Sequence, residues 1–274
     1  MARTLQDYEP ISVLIAAKNA QDTISFCIRS ALIGLRAKDE VLIFLDGCTD
    51  NTHRLVAAIT DPRIQVFSSK AGVGRSSARN FLIENSKSPL IAILDADDFA
   101  LPWRFAFSRR LLRRNDAVFG SAFLFGSLPY GLPLALTYPA KILPRLVPQI
   151  LQTRNPFVHS TAAYRRSALE DSSAYEEVIA EDYALWLRMA IQGKTLRRSR
   201  LPIGGYRLSP VQLSAAANYQ QQVNECTVLR SRKLTLKEQQ GVKRVRRTFG
   251  LVFEEEFLKS LRRFVARISR DHQI

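Results

Sequence analysis

Cysteine is scarce in this chain of 274 residues, where only Cys27, Cys48 and Cys226 occur, an odd number with neither metal-ligand spacing nor a pairing pattern. That excludes a disulfide framework and favours a reducing compartment, read here as the cytoplasm. No long apolar stretch opens the chain, which begins Met1-Ala2-Arg3-Thr4-Leu5-Gln6-Asp7-Tyr8-Glu9-Pro10, so a signal peptide is not expected. Residues 117 to 140 carry no charged side chain, but Pro129, Pro133, Pro139 and three glycines interrupt them, which argues against a membrane-spanning helix. Internal repeats and low-complexity tracts are absent, which excludes a repeat architecture. Acids are also in deficit, with 25 Asp and Glu against 40 Lys and Arg and a net charge of +15. Such a chain is drawn to anions: nucleic acid, anionic lipid or a phosphorylated substrate. Residues 230 to 274 hold 13 Lys or Arg against five Asp or Glu, so this tail alone carries +8. The basic residues lack the interleaved aromatic platform or motif of a nucleic-acid binder, so nucleic acid is not expected as a partner.

What is present reads as α/β. Apolar, β-branched runs at Ile11 to Ala16, Val41 to Leu45, Ile64 to Phe67 and Leu90 to Leu94 are separated by segments of helical length. Alternation of this kind predicts a mostly parallel sheet covered on both faces, with the ends of its strands along one rim. Asn19, Asp46 and Asp95 each fall at or just beyond such an end. Ala117 to Phe125 reads as a buried strand leading into an apolar loop that could touch lipid. Lys141 to Leu151 has the pattern of a short interfacial helix, and residues 182 to 191 that of a helix with Leu185 and Met189 on one face. From about Tyr219 the composition suits amphipathic helices, and Phe253, Phe257, Leu261, Phe264, Val265 and Ile268 recur at helical spacing. That stripe fits docking on the domain or on a membrane equally well.

The acids concentrate in one place. Asp95-Ala96-Asp97-Asp98 follows the buried-strand pattern Leu90 to Leu94, and three like charges this close ask for a cation. Oxygen-rich sites at strand ends suit Mg²⁺ or Mn²⁺ carrying phosphates. A plainer reading has Asp97 or Asp98, Asp98 above all, capping a helix that starts near Pro102. Asp46-Gly47 likewise suits a tight turn, and Asn19 could simply end the first strand.

Five segments in order carry a resemblance: Ser12-Val13-Leu14-Ile15-Ala16-Ala17-Lys18-Asn19, Leu45-Asp46-Gly47-Cys48-Thr49-Asp50-Asn51-Thr52, Gly74-Arg75-Ser76-Ser77-Ala78-Arg79-Asn80, Leu94-Asp95-Ala96-Asp97-Asp98 and Ala180-Glu181-Asp182-Tyr183-Ala184-Leu185-Trp186-Leu187-Arg188. Over roughly residues 10 to 215 the chain resembles the family 2 glycosyltransferases. The resemblance implies the A-type glycosyltransferase fold, a Rossmann-like mostly parallel central sheet flanked by helices, here with a C-terminal helical extension. The implied organisation is a nucleotide-sugar half over 1–105, an acceptor half over 106–218 and a basic helical extension over 219–274. The implied activity is inverting, metal-dependent transfer of one sugar from a nucleoside-diphosphate donor to a glycan or lipid-linked acceptor, with a non-catalytic nucleotide-sugar or partner-binding module as the alternative. UDP is the default nucleotide, with GDP and dTDP open.

On this resemblance Asp182 is the catalytic base, in a helix first turn where the macrodipole keeps its carboxylate ionised. Asp97 is the ligand of Mn²⁺ or Mg²⁺. Ala16, Asn19, Asp46, Arg75, Arg79 and Asp95 form the donor site, with Arg75 the stronger phosphate contact. His159, Glu181 and Arg207 are acceptor or diphosphate contacts, although a lone histidine such as His159 more often serves a structural hydrogen bond. Leu45, Cys48 and Ala16-Ala17 depart from the family pattern, which bears on the base that is bound, and Ser209 stands where relatives often have histidine. The motif of processive synthases is missing. The expected location is cytoplasmic, peripheral on the inner membrane face, with the basic C-terminus meeting anionic lipid.

Overall fold

Each of the four apolar runs becomes a strand, and each intervening segment a helix. A computed structural model of the chain describes residues 8–126, 142–169, 174–209 and 218–240. The first part alternates regularly: β1 (Ile11–Ala17), α1 (Ile24–Gly34), β2 (Glu40–Asp46), α2 (Thr52–Ala57), β3 (Ile64–Ser69), α3 (Arg75–Asn85) and β4 (Leu90–Ile93). Then follow β5 (Phe99–Ala100), α4 (Arg104–Leu112), β6 (Ala117–Gly126), α5 (Val147–Leu151), β7 (Ala163–Arg165), α6 (Glu181–Ile191), β8 (Leu196–Leu208), α7 (Tyr219–Glu225) and α8 (Thr227–Gln240).

One sheet of eight strands, in the order β3-β2-β1-β4-β7-β6-β8-β5, runs through the molecule. β1 to β4 are mutually parallel, with Val13 opposite Val41 on one side and Ala92 on the other. Beyond β4 the sheet becomes mixed: β7 is antiparallel to both β4 and β6, β6 is parallel to β8, and β5 is antiparallel to β8. Alternate side chains point to opposite faces. Val13, Ile15, Val41, Ile43 and Ala92 meet α1, α2 and α4, whereas Leu14, Leu42, Phe44, Ile91 and Ile93 meet α3 and join a core continuous with α5, α6 and α8. Burial on both faces is why these strands read as unbroken apolar runs.

β2 and β3 lie to one side of β1 and β4 to the other, so the strand order reverses between β1 and β4. The carboxyl ends of β1, β2 and β4 open along that rim, where open α/β sheets hold ligands.

One expectation changes. Val147, Ile150 and Leu151 of α5 are buried in the main core, so the described residues of the segment expected to be interfacial dock on the domain instead. Its apolar side chains pack against α6 and α8 in that core. Residues 127–141 and 241–274, which include the apolar loop and the aromatic stripe of the tail, lie outside the described residues. Among the described residues no helix is long and apolar enough to cross a membrane. The described start of the tail, α8, packs on α6 through Leu229 and Leu236, and Arg232 donates to Ala184 O and Glu176.

Candidate active site

The rim holds a cavity of about 350 Å³ lined by Ala16, Lys18, Asp46, Gly74, Arg75 and Ala78, among others. Asp46 ends β2, and its two carboxylate oxygens accept from the backbone N–H groups of Val73 (2.6 Å) and Gly74 (3.2 Å). Gly47 turns the chain at φ +62, and a Cβ there would come 2.9 Å from the Gly72 nitrogen, so only glycine fits. Asp46-Gly47 therefore makes the tight turn, and Asp46 lines the cavity as well. Asn19 sits at φ +48, a conformation asparagine tolerates, and its Oδ1 accepts from the Thr49 N–H at 2.8 Å, tying the loop after β1 to the loop after β2. It does not line the cavity. Arg75, at the start of α3, does, with about half its side chain exposed.

Arg79, one turn further along α3, is buried. Its Nη1 donates to Glu181 at 2.5 Å and its Nη2 to Asp95 at 3.1 Å. Both ends of its guanidinium are thus committed to carboxylates, so any influence on a donor acts through them rather than by direct contact. Arg75 adds a longer contact to the other Glu181 oxygen, at 3.6 Å. This places the end of β4 beside the start of α6. His159 joins the same cluster: Nδ1 lies 3.4 Å from Asp95 Oδ1, and Nε2 lies 2.9 Å from the Tyr175 hydroxyl. With both ring nitrogens partnered, its structural reading is the one the geometry supports.

Among the described residues no arginine forms an ion pair with the Asp97 carboxylate, and the downward influence of Arg207, which bonds the Asp97 backbone carbonyl, is outweighed. Burial and the neighbouring Asp95 charge push the Asp97 carboxyl up to about 6. For Asp95, burial alone would act upward, but His159 and Arg79 outweigh it and hold the group well below the usual carboxylate range. Asp98 is fully buried. It does not cap the next helix, because α4 begins after Trp103 without a side-chain cap. Instead its Oδ1 accepts from the Arg207 N–H at 2.7 Å, joining the acidic loop to the end of β8. Arg207 also donates from Nε to Asp97 O at 3.1 Å and lies over the Phe125 ring.

Asp182 lies in the first turn of α6, as expected. Its carboxyl nevertheless shifts upward, because burial and the adjacent Glu181 outweigh the opposing influences. The macrodipole argument, which favours the charged form, loses to desolvation here. One oxygen accepts from its neighbour Tyr183 N–H at 2.7 Å, the other from Asn155 Nδ2 at 3.3 Å. For Glu181, burial acts upward too, but Arg79 and Arg75 win and lower it. Ala180, just before the pair, sits at φ +56 and ψ +54, a left-handed conformation that costs a non-glycine residue roughly 1–3 kcal/mol.

Several residues of this site escaped sequence reasoning. Tyr175 partners His159, lies under Arg79 and is held through both its backbone N–H and C=O by the Asn80 side chain. Asn155 steadies Asp182. Lys18 lines the cavity, and its ammonium makes no hydrogen bond or ion pair among the described residues. Lys18 and Asn80 lie within motifs quoted above, which was their available signal; Tyr175 and Asn155 had none.

Among the described residues no group of three His, Cys, Asp or Glu converges to hold a metal ion. Asp97 alone still fits a divalent cation of the kind that takes one or two carboxylates and completes its shell with substrate phosphates. Its upward shift comes from burial first and repulsion by Asp95 second, both of which such a cation would offset.

The family model for Glycosyl transferase family 2 matches residues 12–172. A UDP-Glc:alpha-D-GlcNAc-diphosphoundecaprenol beta-1,3-glucosyltransferase of Escherichia coli, WfaP, is 26% identical over 81% of this chain and 86% of its own length. The succinoglycan biosynthesis protein ExoU of Rhizobium meliloti is 42% identical over 34% of this chain, which spans only 28% of ExoU. Among solved structures, S. aureus TarS 1-349 in complex with UDP-GlcNAc superposes with a TM-score of 0.64 at 15% identity, over 84% of this chain and 71% of that one. The mannosyltransferase PcManGT of Pyrobaculum calidifontis, in complex with GDP-Man and Mn²⁺, gives 0.60 at 14% identity, over 96% and 73%. These two likenesses concern the fold.

Proposed function

The chain belongs to glycosyl transferase family 2, and from that premise we propose that it moves a single sugar from a UDP-sugar to a hydroxyl of a glycan or lipid-linked acceptor in bacterial surface-polysaccharide synthesis, with inversion. The observation that carries the reading is the Arg79 bridge, which brings the Asp95-Asp97 loop and the Glu181-Asp182 helix start to one cleft beside the cavity. UDP-Glc in the name of WfaP and UDP-GlcNAc in the TarS complex support the choice of nucleotide. The diphosphoundecaprenol acceptor in the name of WfaP supports a lipid-linked one.

In this reading Ala16, Asp46 and Lys18 receive the nucleoside and Arg75 the diphosphate. Asp97 holds Mn²⁺ or Mg²⁺, which when bound stabilises the negative charge of the departing diphosphate. Asp182 takes the proton of the attacking hydroxyl. Its raised carboxyl suits it to that task, because a carboxylate of higher pKa binds the proton more strongly. Glu181, Arg79, His159 and Tyr175 keep the cleft's carboxylates in place.

Calorimetric titration with UDP, GDP and dTDP, each with Mn²⁺ or with EDTA, tests the reading. Metal-dependent binding of UDP supports it. A folded protein that binds none of the three overturns it in favour of a non-catalytic module.

A further inference from the structure

α1 and α4 lie side by side on one face of the sheet, where a Cβ on Gly34 would come 2.9 Å from Pro102 O and 3.0 Å from the Phe105 ring. Their outward sides are unusual in two respects. Phe26 (58% exposed), Ile33 (71%) and Trp103 (46%) project there. Around them stand the exposed cations Arg29, Arg36, Lys38, Arg110, Arg113 and Arg114, and neither helix nor its flanking residues 24–38 and 102–114 contain an acid. The acids near this face are Asp22, exposed before α1; Asp39, buried and bonded to Arg109; Asp116, bonded to Thr195; Glu9, whose backbone carbonyl accepts from Arg109 and whose carboxylate pairs with Arg165; and Asp61, paired with Arg63 at the end of α1, so that all but Asp22 already have partners. A large aromatic ring, an aliphatic side chain and a ring of uncompensated cations on one face match a surface that is apolar within and negative at its boundary.

The position of the face relative to the cleft strengthens the match. Phe26 packs on Phe99 (5.5 Å between centroids), Phe99 on Phe125 (5.1 Å), and Arg207 lies 4.7 Å over Phe125 while its Nε donates to Asp97 O. An unbroken row of rings thus leads from the exposed face to the acidic loop. Trp103 donates its indole N–H to Pro202 O at 2.8 Å, so its exposed ring can enter an apolar layer without an unmet donor.

We propose that the outward face of α1 and α4 is a docking surface for an anionic lipid bilayer, which the cations approach at the headgroups and Phe26, Ile33 and Trp103 enter, bringing the cleft to the membrane plane. The inference concerns membrane attachment and is read without donor or acceptor, so it stands or falls apart from the transfer reaction.

The two tryptophans of the chain provide the test. Trp186 is fully buried and bonded to Tyr164, so emission that responds to solvent reports Trp103. With the full chain and phosphatidylcholine vesicles containing phosphatidylglycerol, Trp103 emission should shift to the blue, be quenched by brominated acyl chains and resist iodide. Phosphatidylcholine alone should do none of this. The triple variant Arg29→Glu/Ile33→Glu/Arg110→Glu should bind the anionic vesicles at least about tenfold more weakly, with an unchanged circular dichroism spectrum. Vesicle binding that leaves Trp103 open to iodide would overturn the proposal, since attachment would then lie elsewhere on the chain. Wild-type binding that is absent for vesicles but present for duplex DNA, with the Trp103 response, would overturn it in favour of nucleic acid. This wild-type reading decides the question even if the triple variant does not fold.

Discussion

Two acidic pairs face one another across the cleft, one at the end of β4 and one at the start of α6, and each is divided in the same way. Asp95 and Glu181 are both bound by Arg79 and held low, whereas Asp97 and Asp182 lack such a partner and are shifted up. A carboxylate whose charge is already matched can build a site but has little left to offer a ligand. The unmatched member of each pair holds its charge at a cost that a cation or a proton would relieve, which is the basis of the roles proposed for Asp97 and Asp182. A single buried arginine, joined at Asp95 by His159, thus sets neighbours in sequence apart electrostatically and couples two regions far apart in the chain.

Removing the bridge should have the largest effect. Arg79→Met leaves Asp95 and Glu181 buried without their shared cation, and we expect a loss of about 3–5 kcal/mol in urea unfolding. A loss under about 1 kcal/mol would mean that the two regions are not coupled through Arg79. Next in size, Asp97→Asn should weaken Mn²⁺-dependent UDP binding at least tenfold, about 1.4 kcal/mol, while Asp95→Asn acts mainly on stability. Calorimetry and thermal unfolding on the two variants separate these effects, and the reverse pattern would exchange the roles of the pair.

The upward shift of Asp97 makes a prediction of its own. A group whose folded pKa lies above its unfolded value adds stability that is fully present below the unfolded pKa of about 3.9 and is lost as pH rises through about 6. In EDTA, the Asp97→Asn protein should therefore be more stable than the wild type above pH ~6, by roughly 1–3 kcal/mol, with the gap closing toward pH ~4. Equal stability throughout would mean that Asp97 is not under electrostatic strain. The smallest effect belongs to the exposed Arg75. Arg75→Ala should raise the donor KM several-fold, corresponding to about 1 kcal/mol or slightly more, with little change in stability. A change in unfolding without a change in KM would contradict its donor role.

The fold was legible where burial is symmetrical. β1 to β4 are covered on both faces, so each appears as an uninterrupted apolar run, and the observed strands differ from the expected ones by a residue or two. The mixed half was less legible. β5 and β7 span two and three residues, too few to show a period. β8 carries Arg197, Arg198 and Arg200, and its buried Arg198 is accommodated because its Nη1 donates to Pro156 O at 2.7 Å, a contact no local pattern announces. At the site, the carboxylates themselves were readable from spacing and resemblance. Their division into matched and unmatched members was not, because Arg79 and Glu181 are 102 residues apart and Tyr175 and Asn155 lie outside any motif. Asp98 looked like a cap because it precedes a helix. Its actual partner, the Arg207 N–H, is 109 residues away.

The account is tested most directly by the turnover of Asp182→Asn at saturating UDP-sugar and acceptor. If Asp182 is the unmatched carboxylate that takes the proton, transfer should fall by roughly 10²–10⁴-fold while Mn²⁺-dependent UDP affinity and unfolding stay close to wild type. Turnover within a few-fold of wild type would contradict the division of roles at α6.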